Sequence, residues 1–227
     1  MNKTKKLIII GTGETGLLAY EFFTHDSEYE VVGFSVNRAY LKESIFQNLP
    51  VVAFEELETL YPPKEYEAFV ALSSSHLNRD RTKVYDKAKE KGYHLASYIS
   101  SDALVWHNVE IGENCLVLGA SILQPFSKIG NNVFLWYKSI IGHHSVVEDN
   151  CFFASAGIAG FCHVGMNCFL GGGCLIGENI RVGKDNYISM GTVLSKNTRD
   201  NSIYRGNPAK KVKDFSATYF CQVKEGE

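Results

Sequence analysis

Two patterns of hydrophobic and polar positions divide the chain. Up to about residue 98, short β-rich runs alternate with stretches of helical spacing. Residues 6–10 form an apolar run that stops at Gly11, and Leu17, Leu18, Tyr20 and Phe23 follow on one helical face. Residues 29–34 and 68–72 read as further strands, and 55–60 as a short helix. Residues 79–91 set Val84, Tyr85 and Ala88 among charged neighbours, which predicts a surface helix; 94–98 closes the set. Strands alternating with helices predict a parallel sheet covered on both faces.

From residue 99 the helical pattern is gone and a fixed period replaces it. Stepping by six from Ile99 lands on Val105, Ile111, Val117, Leu123, Ile129, Leu135, Ile141, Val147 and Phe153. One step of five reaches Ile158, and sixes resume through Val164, Leu170, Ile176, Val182, Ile188 and Leu194. Four positions after the apolar residue the chain is small at most repeats, among them Ala103, Cys115, Ser121, Ser145, Gly157 and Thr198. Val109, Val133, Ile180 and Asn186 are the exceptions. A hexapeptide period predicts a parallel β-helix. One apolar side chain per short strand fills a narrow triangular core, and the small residue lets the chain turn the corner.

The period accounts for the cysteines. Cys115, Cys151, Cys162, Cys168 and Cys174 fall in the small-residue slot, so they read as small buried hydrophobes, not as a metal cluster or reactive thiols. Cys221 lies in the tail. Lys+Arg is 23 against Asp+Glu 25 in 227 residues, a net charge of −2 that lacks the basic excess of phosphate-gripping proteins. No apolar run approaches a membrane span, and the N-terminal one is too short for a signal-peptide core. Expected, therefore, are a cytoplasmic protein, no nucleic-acid or membrane partner, and reduced thiols.

Gly11, Gly13 and Gly16 form G-x-G-x-x-G between a predicted strand and a predicted helix, the context in which that loop receives phosphate or sugar. The second strand ends Val36-Asn37 with no carboxylate to hold a nicotinamide ribose, and fewer than 100 residues precede the repeat. A nucleotide or nucleotide-sugar pocket, or a tight turn that only packs helix on strand, both remain open. His76 follows a strand end, where ligands collect in open sheets. His143 and His144 come second and third after the inward Ile141, and so point outward on the coil. Imidazole is the usual general base near neutral pH. Gly160 lies one coil above His143 and leaves room beside it for something slender. Zinc held by outward histidines is a further option; the spacing of His143, His144 and His163 does not match it, and no metal is expected.

With these motifs in view, the chain resembles the hexapeptide-repeat sugar acyltransferases that begin with a small Rossmann-like domain. These include sialic-acid O-acetyltransferases and UDP-4-amino-sugar N-acetyltransferases. The resemblance runs through the Gly-rich loop, Val31 to Asn37, the coils, and Tyr204-Arg205-Gly206-Asn207-Pro208-Ala209-Lys210, which is similar to a G-x-P-A-K ending. It implies a Rossmann-like α/β domain over 1–98 for the acceptor, a left-handed β-helix over 99–200, and a tail over 201–227. It implies a homotrimer with acetyl-CoA between neighbouring coils, and a nucleotide-linked amino sugar on the Gly-rich loop. His143 and His144 fall at the catalytic place, with His143 as general base for direct transfer and a backbone N–H stabilising the oxyanion. Gly160, Gly172 and Gly191 would line the pantetheine path. Gly11, Gly13, Glu14 and Thr15 would meet the acceptor, with Asn37 and Ser73 nearby. Three positions depart from the family: His144 stands for a carboxylate, Phe152 for a second histidine, and Val36-Asn37 for an acidic pair. An O-acetyltransferase and a non-catalytic sugar-binding coil are the alternatives.

Overall fold

The computed structural model describes residues 2–224. The N-terminal part is a five-stranded sheet of β1 (Lys5–Ile10), β2 (Tyr29–Val36), β3 (Ile45–Phe46), β4 (Leu49–Ala53) and β5 (Glu67–Val70), in the order β3-β4-β2-β1-β5. All neighbours are parallel except β3 with β4. The central strand β1 is buried on both faces, and its alternate residues go to different cores. Leu7 and Ile9 meet Ala19 and Phe23 of helix α1 (Glu14–His25). Ile8 and Ile10 meet Leu57 of the short α2 (Leu57–Leu60) and Ala88 of α3 (Arg79–Glu90).

Two readings of this part need correction. The β3–β4 hairpin was not anticipated; it turns through Gln47 and Asn48, both at positive φ, and Asn48 was its one local signal. Residues 94–98 are not a strand of this sheet. Only Leu95 bridges to Ala68, and Tyr98 opens the first coil instead.

Each of the seventeen positions found by periodicity is the second residue of a two-residue strand, from Tyr98–Ile99 to Val193–Leu194. Strands stack in parallel on three faces; Ile122 pairs with Ile140, eighteen positions on, and Ile140 with Gly157 across the short step. The inward side chains, such as Val117, Leu123, Ile141, Val164 and Leu170, are fully buried. Burial of each stabilises the stack by about 1.5–3 kcal/mol relative to exposure. The open first coil is the exception, with Ile99 42% exposed. At the short step the small buried position belongs to Ala156, while Gly157, expected there, moves into the strand Gly157–Ile158. Deleting one corner residue shifts the slot back by one.

The three faces differ. The polar face carries Glu110, Lys128 and His163. The apolar face exposes Leu104, Ile140 and Leu175. The docked face carries a ladder of Leu116, Phe134, Phe152, Phe169 and Tyr187, on which the N-terminal sheet packs; Phe134 and Phe69 stack at 5.8 Å. Two helices run along this joint. The carboxylate of Asp26, just past α1, accepts from Tyr98 Oη (2.7 Å) in the first strand of the coil. At the start of α3, Arg79 pairs with Asp185 near the last coils (2.6 Å). The C-terminal ends of β1, β2 and β5 therefore point toward the later coils. No helix among the described residues is long and apolar enough to cross a membrane.

Arg81 corrects the picture of 79–91 as a surface helix. Its side chain is fully buried at the joint, with its guanidinium 4.1 Å from the Phe134 ring centroid. It donates to Asn132 Oδ1 (3.0 Å), the Ser73 carbonyl (2.8 Å), Asn78 Oδ1 (3.2 Å) and the Asn132 carbonyl (3.1 Å). Burial pushes its pKa down to about 9, so it is charged at neutral pH, held by neutral oxygens and an aromatic face. Replacing it by alanine leaves those oxygens buried and unpaired and opens a cavity. Arg81→Ala is expected to lose about 2–5 kcal/mol in urea denaturation, far more than Lys87→Ala at an exposed site on the same helix.

Candidate active site

The corner between the apolar and polar faces carries the two histidines. Ile141 ends its strand with the side chain inward, Gly142 leaves it, and His143 and His144 make the turn before Ser145 re-enters the core. Gly142 is required, since a Cβ there would lie 2.3 Å from the backbone of Ala159 one coil above. The backbone N–H of His143 donates to Gln124 Oε1 (3.0 Å), and its carbonyl accepts from Phe161 N–H (2.9 Å). The turn is thus pinned from the coils on both sides. Gln124 was not singled out in the sequence; its signal was its place one coil below Gly142 in the corner column.

The His143 ring is half-buried and partnered on one side only. Its Nδ1 lies 3.2 Å from His144 Nδ1, and Nε2 has no partner among the described residues. A Cβ on Gly160 would lie 2.7 Å from Cε1 and Nε2 of that ring. The room that Gly160 leaves is therefore occupied by the imidazole itself. His144 adopts the left-handed conformation (φ 56°), as do Phe126 and Phe161 at the same place in adjacent coils (64° and 57°). That conformation costs a side-chain-bearing residue roughly 1–2 kcal/mol, and elsewhere on the coil asparagine and glycine often fill it.

Gly172 and Gly191 are brought together, but not beside His143. They lie one coil apart at the corner between the docked and apolar faces, where Gly191 N–H donates to the Gly172 carbonyl (2.9 Å). Gly191 has positive φ and no atom within 4 Å of where its Cβ would be. Nearby, Ser189, Arg205, Phe215, Tyr219 and Lys224 line a cavity of about 820 Å³ against the C-terminal segment. Arg205 belongs to the Tyr204–Lys210 stretch.

The N-terminal candidates gather at the C-terminal edge of the sheet. Gly11 follows β1 with φ 124°, and Gly13 is the extended residue before α1, whose first turn holds Glu14 and Thr15. Gly16 lets the helix close on the strand, since its Cβ would fall 2.2 Å from the Gly11 carbonyl oxygen. Ser73 follows β5, across β1 from β2, so the crevice between β1 and β5 is where the strand order reverses. Its carbonyl is held by Arg81. Asn37 follows β2 but opens on a different hollow, beside Glu55 and Lys91, whereas Thr12, Val36, Tyr40 and Phe46 line a cavity of about 220 Å³. His76 is paired to Asp80 (2.9 Å), and His76, Leu77 and Asn78 are all at positive φ.

Phe152 has a structural role. It is 6% exposed and sits in the aromatic ladder, 5.6 Å from Phe169 and 5.9 Å from Trp136. The outward residue of every third strand on that face was the missed signal for the joint. The five repeat cysteines are buried, as their spacing predicts. Burial pushes the Cys115 and Cys174 thiols up to about 12, which keeps them protonated. Among the described residues no three His, Cys, Asp or Glu side chains gather to hold a metal.

No protein-family model matches the chain. Among curated proteins it is similar to UDP-3-O-acylglucosamine N-acyltransferase 2 of Sulfurimonas denitrificans, 29% identical over 83 residues. That stretch is 35% of this chain, and the chain spans about 25% of that relative. Among solved structures it is similar to the acetyltransferase domain of PglB from Neisseria gonorrhoeae (TM-score 0.81, 23% identity, 92% of this chain, 100% of that one). PerB from Caulobacter crescentus in complex with CoA and GDP-perosamine is as similar (TM-score 0.81, 23%, 94% and 100%). WeeI from Acinetobacter baumannii also matches (TM-score 0.77, 21%, 92% and 100%). The likeness covers nearly the whole chain and establishes a shared fold that includes the parallel coil.

Gly160→Ala tests the packing of this corner. The new methyl is expected to swing the His143 ring out of its place while the melting temperature changes by no more than a few degrees, as a crystal structure and a thermal scan of the variant will show.

Proposed function

We propose that the chain is an acyl-CoA-dependent sugar N-acyltransferase, most directly one that N-acetylates a nucleotide-linked amino sugar. The observation that carries this reading is the His143 imidazole, pinned from two coils, engaged through Nδ1 and open at Nε2. In the reading, Nε2 takes a proton from the acceptor amine as that nitrogen attacks the thioester carbonyl. The carbonyl oxygen becomes an oxyanion held by a backbone N–H, its collapse breaks the C–S bond, and CoA leaves as the thiol after taking up a proton. Much of the rate comes from holding two substrates in line. Support comes from the fold shared with the PglB acetyltransferase domain, also solved with acetyl coenzyme A, and with PerB, solved with CoA and GDP-perosamine.

The placement of the candidates argues for more than one chain per site. The histidine corner of a three-sided coil lies opposite the docked face. The Gly11–Gly16 loop is therefore on the far side of its own coil from its own His143. Gly172 and Gly191 lie at a corner flanking the docked face. A neighbouring copy is needed to bring His143 to them, and the exposed Leu104, Ile140 and Leu175 offer the apolar surface for it. In this reading the assembly is a homotrimer, with acetyl-CoA in the seam and its nucleotide end toward the cavity of Arg205 and Lys224. Glu14, Thr15 and Ser73 contact the acceptor, while Asn37 opens on a separate hollow beside Glu55 and Lys91. The N-terminal sheet is taken as Rossmann-like over 1–98, the coil as left-handed over 99–200, and the tail as 201–227. Surface-glycan assembly in the cytoplasm, with no metal, is the setting this reading implies.

The test is purified protein with acetyl-CoA and a panel of nucleotide-linked amino and hydroxy sugars, following release of free thiol. Transfer to an amine is expected, and His143→Ala is expected to lower turnover about 10²–10⁴-fold. Near-full activity in that variant removes His143 from the chemistry, and transfer to hydroxyls alone makes the chain an O-acyltransferase.

A further inference from the structure

Resting on the reading of His143 as the base, we propose that His144 is a positioning residue. It fixes the tautomer of His143 without lending it negative charge, and Phe126 and Phe161 hold it in place. The two Nδ1 atoms are 3.2 Å apart, so one must carry a proton and the other a lone pair. When His143 is the donor, its Nε2 is left with the lone pair that a base needs. His144 then accepts at Nδ1 and carries its own proton on Nε2.

The second observation is the clamp. The His144 ring is sandwiched, 4.7 Å from Phe126 at 29° and 4.9 Å from Phe161 at 18°. Phe161 also stands edge-on to His143 at 5.0 Å and 90°. All three rings of the stack sit on left-handed backbone, at φ 64°, 56° and 57°. Among the described residues of the coil, aromatic side chains take that conformation only at this corner. Ala120, Lys138 and Ser155 take the same backbone at the corner between the docked and apolar faces, so the left-handed turn belongs to the coil, and what is particular to this corner is the three aromatic rings placed on it. Phe126 and Phe161 are about half exposed, so core packing does not demand them.

Among the described residues no carboxylate serves this pair. Neither histidine has an ion-pair partner among the described residues, and the groups packed on them (Gln124, Pro125, Phe126, Gly160 and Phe161) are uncharged. In the same corner column His107 and Glu178 lie two coils away on either side. On the adjoining polar face Lys128 pairs with Glu110 and His163 with Glu148. When Nε2 of His143 takes up the acceptor's proton, the Nδ1 proton can pass to His144. The single positive charge is then shared between two rings, not opposed by an anion. A carboxylate within ~4–6 Å of an imidazole favours its charged form.

The test uses the full-length protein labelled with ¹⁵N-histidine, with His143 assigned by its replacement. At pH 7.5 the wild-type His143 is expected to show a protonated Nδ1 and an unprotonated Nε2. His144→Phe keeps an aromatic ring in the stack and removes the acceptor; the Nδ1–H tautomer is expected to lose its majority. His144→Asn suits the left-handed corner, keeps an acceptor oxygen and is expected to preserve that tautomer. In turnover, His144→Phe is expected to lower kcat about tenfold with both KM values within about twofold. His144→Asp is expected to move the acid limb of the pH profile up by about one unit. The same His143 tautomer in wild type, His144→Phe and His144→Asn overturns the proposal. Loss of His144→Phe to misfolding leaves the wild-type spectrum and His144→Asn to decide it. If the wild type transfers no acyl group, the acyltransferase reading fails while the tautomer measurement still decides the role of His144.

Discussion

Each strand of the coil is two residues long and turns one side chain inward, so the whole stack is registered by a single column of aliphatic residues per face. A slip of one position would place the polar neighbour in the core and the aliphatic residue in water, along every coil at once. That constraint, and not any local preference at residue 143, puts the imidazole on a corner. It also sets Gly142 at the start of the turn and Gly160 one coil above it, where only glycine leaves space for the neighbouring backbone and ring.

A second constraint joins the parts. A charged arginine is buried between the α/β sheet and the coil with only neutral oxygens and aromatic rings around it. Removing a guanidinium from water is costly, and the bonds to Asn132, Ser73 and Asn78 offset that cost only when both parts are in place. Arg81 therefore couples the strand-end loop at Ser73 to the coil. The loop's orientation relative to the seam is set by the same side chain that holds the joint.

Much of this was legible in the residues. The inward column was read at every repeat because its period is strict and its chemistry uniform. The five cysteines were assigned to the core because they share the slot of serine and alanine. The histidine corner was found because two imidazoles have no business on the outside of a coil that needs only small residues. What escaped depended on contacts across long separations. Arg81 looked like one of many charges on α3, and only Asn132, 51 positions away, shows why it is buried. Phe152 carried a helical-coil signal that the inward period hides, because its partners Phe134 and Phe169 are a full coil away. Gly157 was misplaced by one because the short step removes a corner residue and not a strand residue. The Gly-rich loop was found by its motif, but that Gly172 and Gly191 share a corner which His143 does not is a property of three-sided geometry that no linear pattern displays.

The central claim is that this register delivers His143 Nε2 to an acyl donor held between two copies of the chain. A crystal structure with acetyl-CoA and a nucleotide-linked amino sugar bound tests it most directly. The account predicts the acceptor nitrogen within about 3 Å of Nε2, directly or through one water, with the thioester beside it and Gly172 and Gly191 of a second copy along the pantetheine arm. A donor bound within a single chain, or a reacting centre more than about 10 Å from Nε2, contradicts it.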